Sequence, residues 1–400
     1  MLRSMYSGIS GMKNFQTKLD VIGNNIANVN TYGFKKGRVS FKETMNQTIS
    51  GATAAQVNRG GKNSMQVGLG SALATIDTVQ TGASLQTTGR SLDLGIDGDG
   101  FFIVKQGDQQ MYSRGGNFYL DDNGTLVNGD GLKVQSFQNG VLSDIVVNVN
   151  STLPSVATKS MEIRGALPDS SALVSNSEGK VEQMKVVDNA GMEHVLDYQF
   201  VPVGGNWVIN ISNPNSKAEP KPITSITLDS DGQNNTFTAG QDTIDLSSLD
   251  ITDGYTEVKL NMSQLTSKGD SITAFVNPDG NLSGGLESFN IGALGELNGV
   301  YSNGQIRQLG QIALAKFSNP SGLSKAGNNL FQETVNSGTA NVSIPGDGRG
   351  SLQSGALEMS NVDLSEEFTE MITAQRGFQA NTRIITTSDE ILQELVNLKR

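Results

Sequence analysis

Residues 1–30, MLRSMYSGISGMKNFQTKLDVIGNNIANVN, decide how this chain is built. Leu2, Met5, Ile9, Met12, Leu19 and Ile26 fall on a 3–4 alternation, with Gln16 and Gly23 at the two interrupted positions. That is the a/d seam of a heptad pattern, about four heptads long, and Ile22 joins it as a further apolar contact. Between them stand the polar residues Arg3, Ser7, Lys13, Asn14, Lys18 and Asp20. At 1.5 Å per residue the helix would be roughly 40 Å long. Asn28, Asn30 and Gly33 end it.

The other end repeats the design. Leu364, Phe368, Met371, Phe378, Ile385, Leu392 and Val396 follow the same alternation, interrupted at Gln375, Thr382 and Asp389. Asp363 with Glu366 three residues on reads as a capping box. Glu366, Glu367 and Glu370 suit a helix N-terminus, and Lys399 and Arg400 its far end. The arms complement each other in charge: residues 1–30 hold three basic residues and one acid, residues 361–398 two basic residues and seven acids. Antiparallel or staggered pairing is expected to bury both seams. A closed hairpin within one chain is the simplest form, but a lone helix pair would leave its remaining apolar sides wet. Packing against further copies is therefore expected, aided by Met5, Met12 and Met371, whose side chains tolerate repacking.

Four hundred residues exceed one ordinary domain. The 47 glycines and 9 prolines suit short strands joined by tight turns. Residues 44–70, rich in Gly, Asn, Gln, Thr, Ser and Ala, read as an extended connector. Beyond them, Ser91–Ile96 alternates, Asp97-Gly98-Asp99-Gly100 turns, and Phe101–Val104 runs apolar. Turns at Asp121–Gly124 and Asn128–Gly131 flank Thr125–Val127. Runs at Met184–Val187, Val195–Val203, Trp207–Ile211, Ile223–Leu228, Tyr255–Leu260 and Ser271–Val276, with a turn at Asp229–Gly232, read as an independent antiparallel β-domain of barrel or sandwich type. A further β segment, Gly299–Phe317, precedes the last helix. The expected architecture is mainly β with α-helical termini: a coiled-coil base (1–30 and 361–400), a connector (31–70), a discontinuous inner β-domain (71–144 and 286–360) and an outer inserted one (145–285), the two stacked.

Composition closes several routes. With no cysteine, zinc ribbons, thiol catalysis and disulfides are excluded. The net charge is −11, and residues 151–285 carry 17 acidic against 8 basic residues, where phosphate binding needs a basic stripe. Nucleic acid is thus not expected as a partner. The N-terminus has spaced apolar residues and no continuous apolar core, so it does not read as a signal peptide, and no stretch approaches the length of a membrane span. The lone histidine, His194, stands beside Glu193 with nothing to complete a triad, and reads as a strand or surface residue. Asp97–Gly100 lacks the remaining calcium-loop ligands, because Phe101, Phe102 and Val104 occupy them. Gly60-Gly61-Lys62 lacks the phosphate-loop spacing. No catalytic residue, metal site or cofactor is read. A β-rich hydrolase would leave the terminal heptads without purpose, and a surface adhesin would need an attachment signal.

The run Leu19–Lys35, LDVIGNNIANVNTYGFK, resembles the signature of the bacterial flagellar rod and hook family, carried here by Asn24, Asn25, Ala27, Asn28, Thr31, Gly33 and Phe34. Gly98–Phe102, Tyr112–Phe118, Ser360–Leu364 and Gln375–Asn381 are similar to its other motifs. The likeness covers roughly the first 140 residues and the last 45. The roughly 140 residues inserted at 145–285 favour the hook branch, while Met1–Tyr6 is rod-like and keeps the stiff distal rod as the alternative. The resemblance implies a self-assembling tube with terminal helices as concentric coiled coils around an export channel. It further implies a flexible universal joint carrying torque from rod to filament. Expected partners are further copies, rod, hook-cap and hook–filament junction proteins, and the flagellar type III export apparatus, with location outside the cell.

Overall fold

The computed structural model describes residues 2–55, 59–138, 140–168, 180–203, 206–216, 223–231, 236–239, 243–244, 249, 257–266 and 271–398. Helices α1 (Leu2–Ala27) and α2 (Leu364–Asn397) form the two ends, and strands fill what lies between. The fold is mainly β with helical termini, as the periodicity predicts. Asp363 caps α2, its carboxylate accepting from Ser365 N at 2.7 Å and Glu366 N at 3.3 Å. Glu366 does not complete the expected capping box. Its carboxylate instead meets the Lys36 ammonium at 2.7 Å, a charged partner outcompeting a backbone N–H. Lys399 and Arg400 lie outside the described residues. No described helix is long and apolar enough to cross a membrane.

The chain divides into two compact units: Met1–Asn148 with Phe289–Asn298 and Gln308–Arg400, and Val149–Ser288 with Gly299–Arg307. In the first, a ten-stranded sheet runs Ser324–Gly327, Leu330–Gln332, Gln109–Ser113, Phe101–Gln106, Lys133–Gln138, Leu126–Val127, Tyr119–Leu120, with Val141–Asp144, Leu314–Lys316 and Asn341–Ser343 attached. Phe101, Ile103, Tyr112, Phe317 and Phe331 fill its core. Phe317 stands edge-on to Tyr112 (centroids 4.8 Å apart) and to Phe101 (5.8 Å), the arrangement aromatic quadrupoles favour. The two sequence-read turns close through their own side chains. Asp121 Oδ1 accepts from Asn123 N and Thr125 N, and Asn128 Oδ1 from Asp130 N and Leu132 N. The alternation at Ser91–Ile96 yields a strand only from Leu94 to Asp97, which pairs with Ser351–Ser354. Leu85–Thr87 pairs with Ala356–Glu358, so the returning chain lies beside the outgoing one.

The stretch expected as a connector is a paired ribbon. Gly37–Glu43 runs antiparallel to Ser71–Thr78, and Asn46–Ser50 to Met65–Gly68. Its outer strands are exposed on both faces, so no buried side imposes an alternating pattern on the sequence. The ribbon leans on α1 through Asn14 Nδ2, which donates to Ser71 Oγ at 2.8 Å, and through Phe15 against Phe41.

In the second unit a nine-stranded sheet runs Glu182–Val187, Glu193–Val203, Asn206–Ser212, Ile223–Asp231, Thr236–Ala239, Val258–Thr266, Ser160–Ala166, Phe275–Pro278, with Thr243–Ile244 attached. One pair, Ser160–Ala166 with Val258–Thr266, is parallel, where an antiparallel domain was expected. The intervening chain is long enough for the crossover a parallel pair needs. The Val276 N–H donates to Tyr198 Oη, whose hydroxyl donates to Glu182, so the ends of the sheet meet and enclose one core. Met161, Leu196, Trp207, Ile209, Leu228 and Leu265 lie in it. Asp229–Asp231 continue a strand where a turn was expected; Gly232 and Tyr255 lie outside the described residues. The strand expected from Ser271 begins at Phe275. His194 sits on a strand, 3.0 Å from Asp188, whose other carboxylate oxygen closes a turn by accepting from Met192 N.

Trp207, the only tryptophan, is 1% exposed and donates to Pro168 O at 2.9 Å, so its emission reports on this core. Leu228→Ala is expected to lower the stability read by Trp207 fluorescence in denaturant by about 2–5 kcal/mol, the cost of a core cavity.

Candidate assembly interface

The terminal helices pair antiparallel, and the apolar seams enter the contact only in part. On α1 the contact row includes Gly8, Gly11, Phe15, Lys18 and Asn25; on α2 it includes Glu367, Glu370, Gly377, Asn381 and Ile384. Both rows keep the 3–4 spacing, one residue back from the seams read in the sequence, or about 100° around each helix. A Cβ at Gly377 would stand 2.5 Å from the Phe15 ring, and one at Gly11 2.9 Å from the Asn381 amide. Small residues therefore set how closely the helices approach. Lys18 Nζ meets Glu370 at 3.0 Å, realising the charge complementarity of the two arms.

The expected seam residues have a different fate. Met12 reaches α2 through the Thr382 hydroxyl at 3.3 Å, and a Cβ at Gly8 would lie 3.5 Å from Ile385. Met5, Leu19 and Ile26 are half-buried, as are Met371, Phe378, Ile385 and Leu392; Ile22 is buried and Ile9 exposed. Leu2 lies outside the described side chains. On α2, Phe368 is 50% exposed and Val396 66%, with Leu364 also open. Intrachain pairing thus covers the seams only in part. The helices turn glycines, polar residues and Phe15 towards each other, while Ile9, Leu364, Phe368 and Val396 stay open. Ile372, Ile391 and Leu395, exposed beside them, escaped the heptad reading because they lie off its a/d positions.

At the root of the pair the signature residues act on the backbone. Asn25 is 2% exposed; its amide exchanges two 2.9 Å hydrogen bonds with Gly37 and donates at 3.1 Å to Glu367, which is itself buried. Asn28 closes the helix end, donating to Asn24 O and accepting from the Thr31 hydroxyl. Ala27 is the last residue of α1, and Asn24 beside it is exposed. Gly33 adopts φ +69°, and a Cβ there would stand 2.6 Å from Gly115 N, so both conformation and space require glycine. Phe34 is buried, with the Lys325 ammonium 5.1 Å above its ring.

Beneath them lies a buried charge cluster that sequence reasoning missed. The Lys35 and Glu358 side chains are both 0% exposed and meet at 2.6 Å. Arg114 Nη1 reaches the other Glu358 oxygen at 3.3 Å and Gly98 O at 2.9 Å. Ala83 N also donates to Glu358, and Lys35 Nζ to Thr81 O. Burial pulls the Lys35 ammonium below the ordinary lysine value, and the Glu358 carboxylate opposes that shift. Lys35 and Arg114 both stand in the sequence motifs; Glu358 stands just outside them, and no spacing marks it as their counter-ion.

The described residues include no group of side chains able to hold a metal ion. Paired termini with outward apolar rows define a structural assembly subunit. A family model described as flagella basal body rod protein matches residues 5–35, the D1 domain of flagellar hook protein FlgE/F/G matches 95–165, and the FlgEFG C-terminal region matches 353–398. The chain is 40% identical to the flagellar basal-body rod protein FlgG of Bacillus subtilis. It is 36% and 39% identical to the flagellar hook proteins FlgE of Treponema pallidum and Borreliella burgdorferi; all three alignments span the whole of both chains. The crystal structure of Helicobacter pylori flagellar hook protein FlgE2 superposes with a TM-score of 0.52 at 12% identity, covering 68% of this chain and 100% of that one. The chain belongs to the flagellar hook and rod family, and within it to the hook subunits. That family consists of flagellar structural proteins.

Glu358→Gln leaves Lys35 and Arg114 buried without a counter-charge. It is expected to cost about 3–5 kcal/mol, measured by circular dichroism in denaturant.

Proposed function

We propose that the chain polymerises through the apolar rows its helices leave open, and that the resulting tube serves as a flexible universal joint. One observation carries this: after α1 and α2 have paired, Phe368, Ile372, Ile391 and Val396 remain 47–66% exposed along one helix. Of these, Phe368 and Ile372, one turn apart and joined by the exposed Leu364 one turn before, form an apolar stripe of the kind that marks an interaction site. Neighbouring copies cover it, so α1 and α2 line the inner wall of the tube.

Bending requires subunits on one side of the tube to close up and those on the other to spread. Methionines at the seams, Met12 and Met371 among them, let neighbouring helices repack at low cost. The β-units supply compliance while the helices supply cohesion. Rod, hook-cap and hook–filament junction proteins cover the ends of the tube, and the subunits reach it outside the cell through the flagellar type III apparatus. The absence of cysteine suits that destination. A second reading, a stiff distal rod, draws on the likeness to the B. subtilis rod protein. Curvature separates the two, since electron micrographs of a hook show bent tubes and those of a rod straight ones.

The purified chain is expected to form tubes on concentration, and one that stays monomeric under all assembly conditions would sink the reading. Phe368→Asp is expected to abolish tubes while changing monomer stability by less than about 1 kcal/mol, because the site is solvent-facing within one chain.

A further inference from the structure

We infer that Asn128 is a site of self-modification: the Gly129 backbone nitrogen attacks its side-chain amide and turns position 128 into aspartate or isoaspartate without an enzyme. The site is a turn of the first unit, and the inference stands apart from the assembly proposed above.

Asparagine followed by glycine is the pair that favours this reaction, because glycine has no side chain to hinder the approach of its nitrogen. The sequence holds five such pairs, beginning at Asn123, Asn128, Asn139, Asn298 and Asn303. The structure separates them. Asn139 lies outside the described residues. Asn298 and Gly299 stand inside the strand Glu296–Tyr301, which has a strand on either side. At Asn123 the Gly124 N–H is engaged, donating to Asp121 O at 2.9 Å, and Gly124 is buried. At Asn303 the Gly304 N–H donates to Tyr301 O at 2.8 Å. The Asn303 amide nitrogen, the group that would have to leave, is itself held by Leu282 O at 2.8 Å.

Asn128 differs on each of these points. Its turn is closed by Gly131 N donating to Asn128 O at 3.0 Å, which leaves Gly129 at the exposed corner. Among the described residues neither the Gly129 N–H nor the Asn128 Nδ2 has an acceptor, so nucleophile and leaving group are both free. The Asn128 Oδ1 is held instead, accepting from Asp130 N at 3.0 Å and Leu132 N at 2.8 Å. Two N–H donors on a carbonyl oxygen draw charge from its carbon and stabilise the negative charge that develops there during attack, as an oxyanion hole does. Asn128 and Gly129 also line a cleft of about 720 Å³, with room for the water that completes the reaction.

The chemistry balances without an oxidant or a cofactor. Hydroxide takes the Gly129 amide proton, and the nitrogen attacks Asn128 Cγ. The new C–N bond closes a succinimide ring, and the bond from Cγ to Nδ2 breaks. The amide nitrogen regains the proton through water and leaves as ammonia. A water molecule then opens the ring at either carbonyl, giving aspartate or isoaspartate. An aspartate keeps both N–H bonds at its carboxylate, so the turn persists with a new negative charge beside Asp130. Because the departed ammonia does not return, the converted fraction records the time since the chain folded.

The test incubates the full-length chain in heavy-oxygen water at neutral and mildly alkaline pH and follows each site by peptide mass spectrometry, with fragment ions to assign the position. In the folded chain Asn128 is expected to take up heavy oxygen about tenfold faster than Asn123 and Asn303, the size of one hydrogen bond to a charged oxygen. Its rate is expected to rise in proportion to hydroxide. In denaturant the three rates converge, since each site is then only asparagine before glycine. Conversion of Asn128 no faster than that of either control in the folded chain would overturn the inference, and so would a ranking that persists unchanged in denaturant. Asn128→Gln, whose longer side chain closes the corresponding ring far less readily, is expected to remove the signal. A signal that survives this substitution belongs to another residue, which also refutes the assignment.

Discussion

The Glu358 carboxylate, sealed from solvent between Lys35 and Arg114, is the constraint on which the root of the molecule depends. Taking three charged groups out of water is costly, and only a complete set of partners offsets it. Glu358 has that set in Lys35, Arg114 and Ala83 N. The cluster joins the chain just after α1, a strand end of the large sheet, and the segment leading into α2. Glu358 lies 323 residues from Lys35 and 244 from Arg114 in sequence. A slip of any one strands a buried charge, so the network specifies a single register where the two termini meet. Asn25, Glu367 and Lys36 carry the same logic onto the helices themselves.

Above this root the helix pair separates two chemistries by one residue of rotation. Gly8, Gly11, Ala374 and Gly377 let the backbones approach, so polar partners such as Lys18 and Glu370 meet within the chain. Leu364, Phe368 and Ile372 are turned outward by the same geometry. Had Phe368 and Leu364 faced α1, the hairpin would have closed on itself and left a polar exterior with nothing to offer a neighbour. A folded monomer and an adhesive one are thus compatible, because the contact within the chain leaves Leu364, Phe368 and Ile372 open.

Much of this was legible in the residues. The helices were readable from 3–4 spacing and from the Asp363 cap, and the large sheet's turns from Asp121 and Asn128. The orientation of the helices was not, because glycine and alanine carry no hydropathy signal although they decide which faces touch. The outer part of the ribbon, 46–50 with 65–68, escaped because a two-stranded structure exposed on both faces imprints no alternation. The parallel pair in the second unit escaped for another reason: short β runs look alike whichever way their partners run. Glu358 was invisible as a counter-ion, since long-range pairing leaves no trace in local pattern. The signature asparagines were recognisable as a motif, yet their roles in backbone closure appear only once Gly37 and Glu367 are in place.

The ribbon has a consequence for how such a subunit can vary. A strand pair that encloses no core grows or shrinks at its tip without disturbing any packing, each added cross-strand pair extending it by about 3.4 Å. Adding two such pairs keeps every side chain on its original face and lengthens the arm by roughly 7 Å. The segment therefore behaves as a vernier: its span can be reset in fixed steps, by insertion or deletion alone, while the ion-locked root and the helices stay as they are.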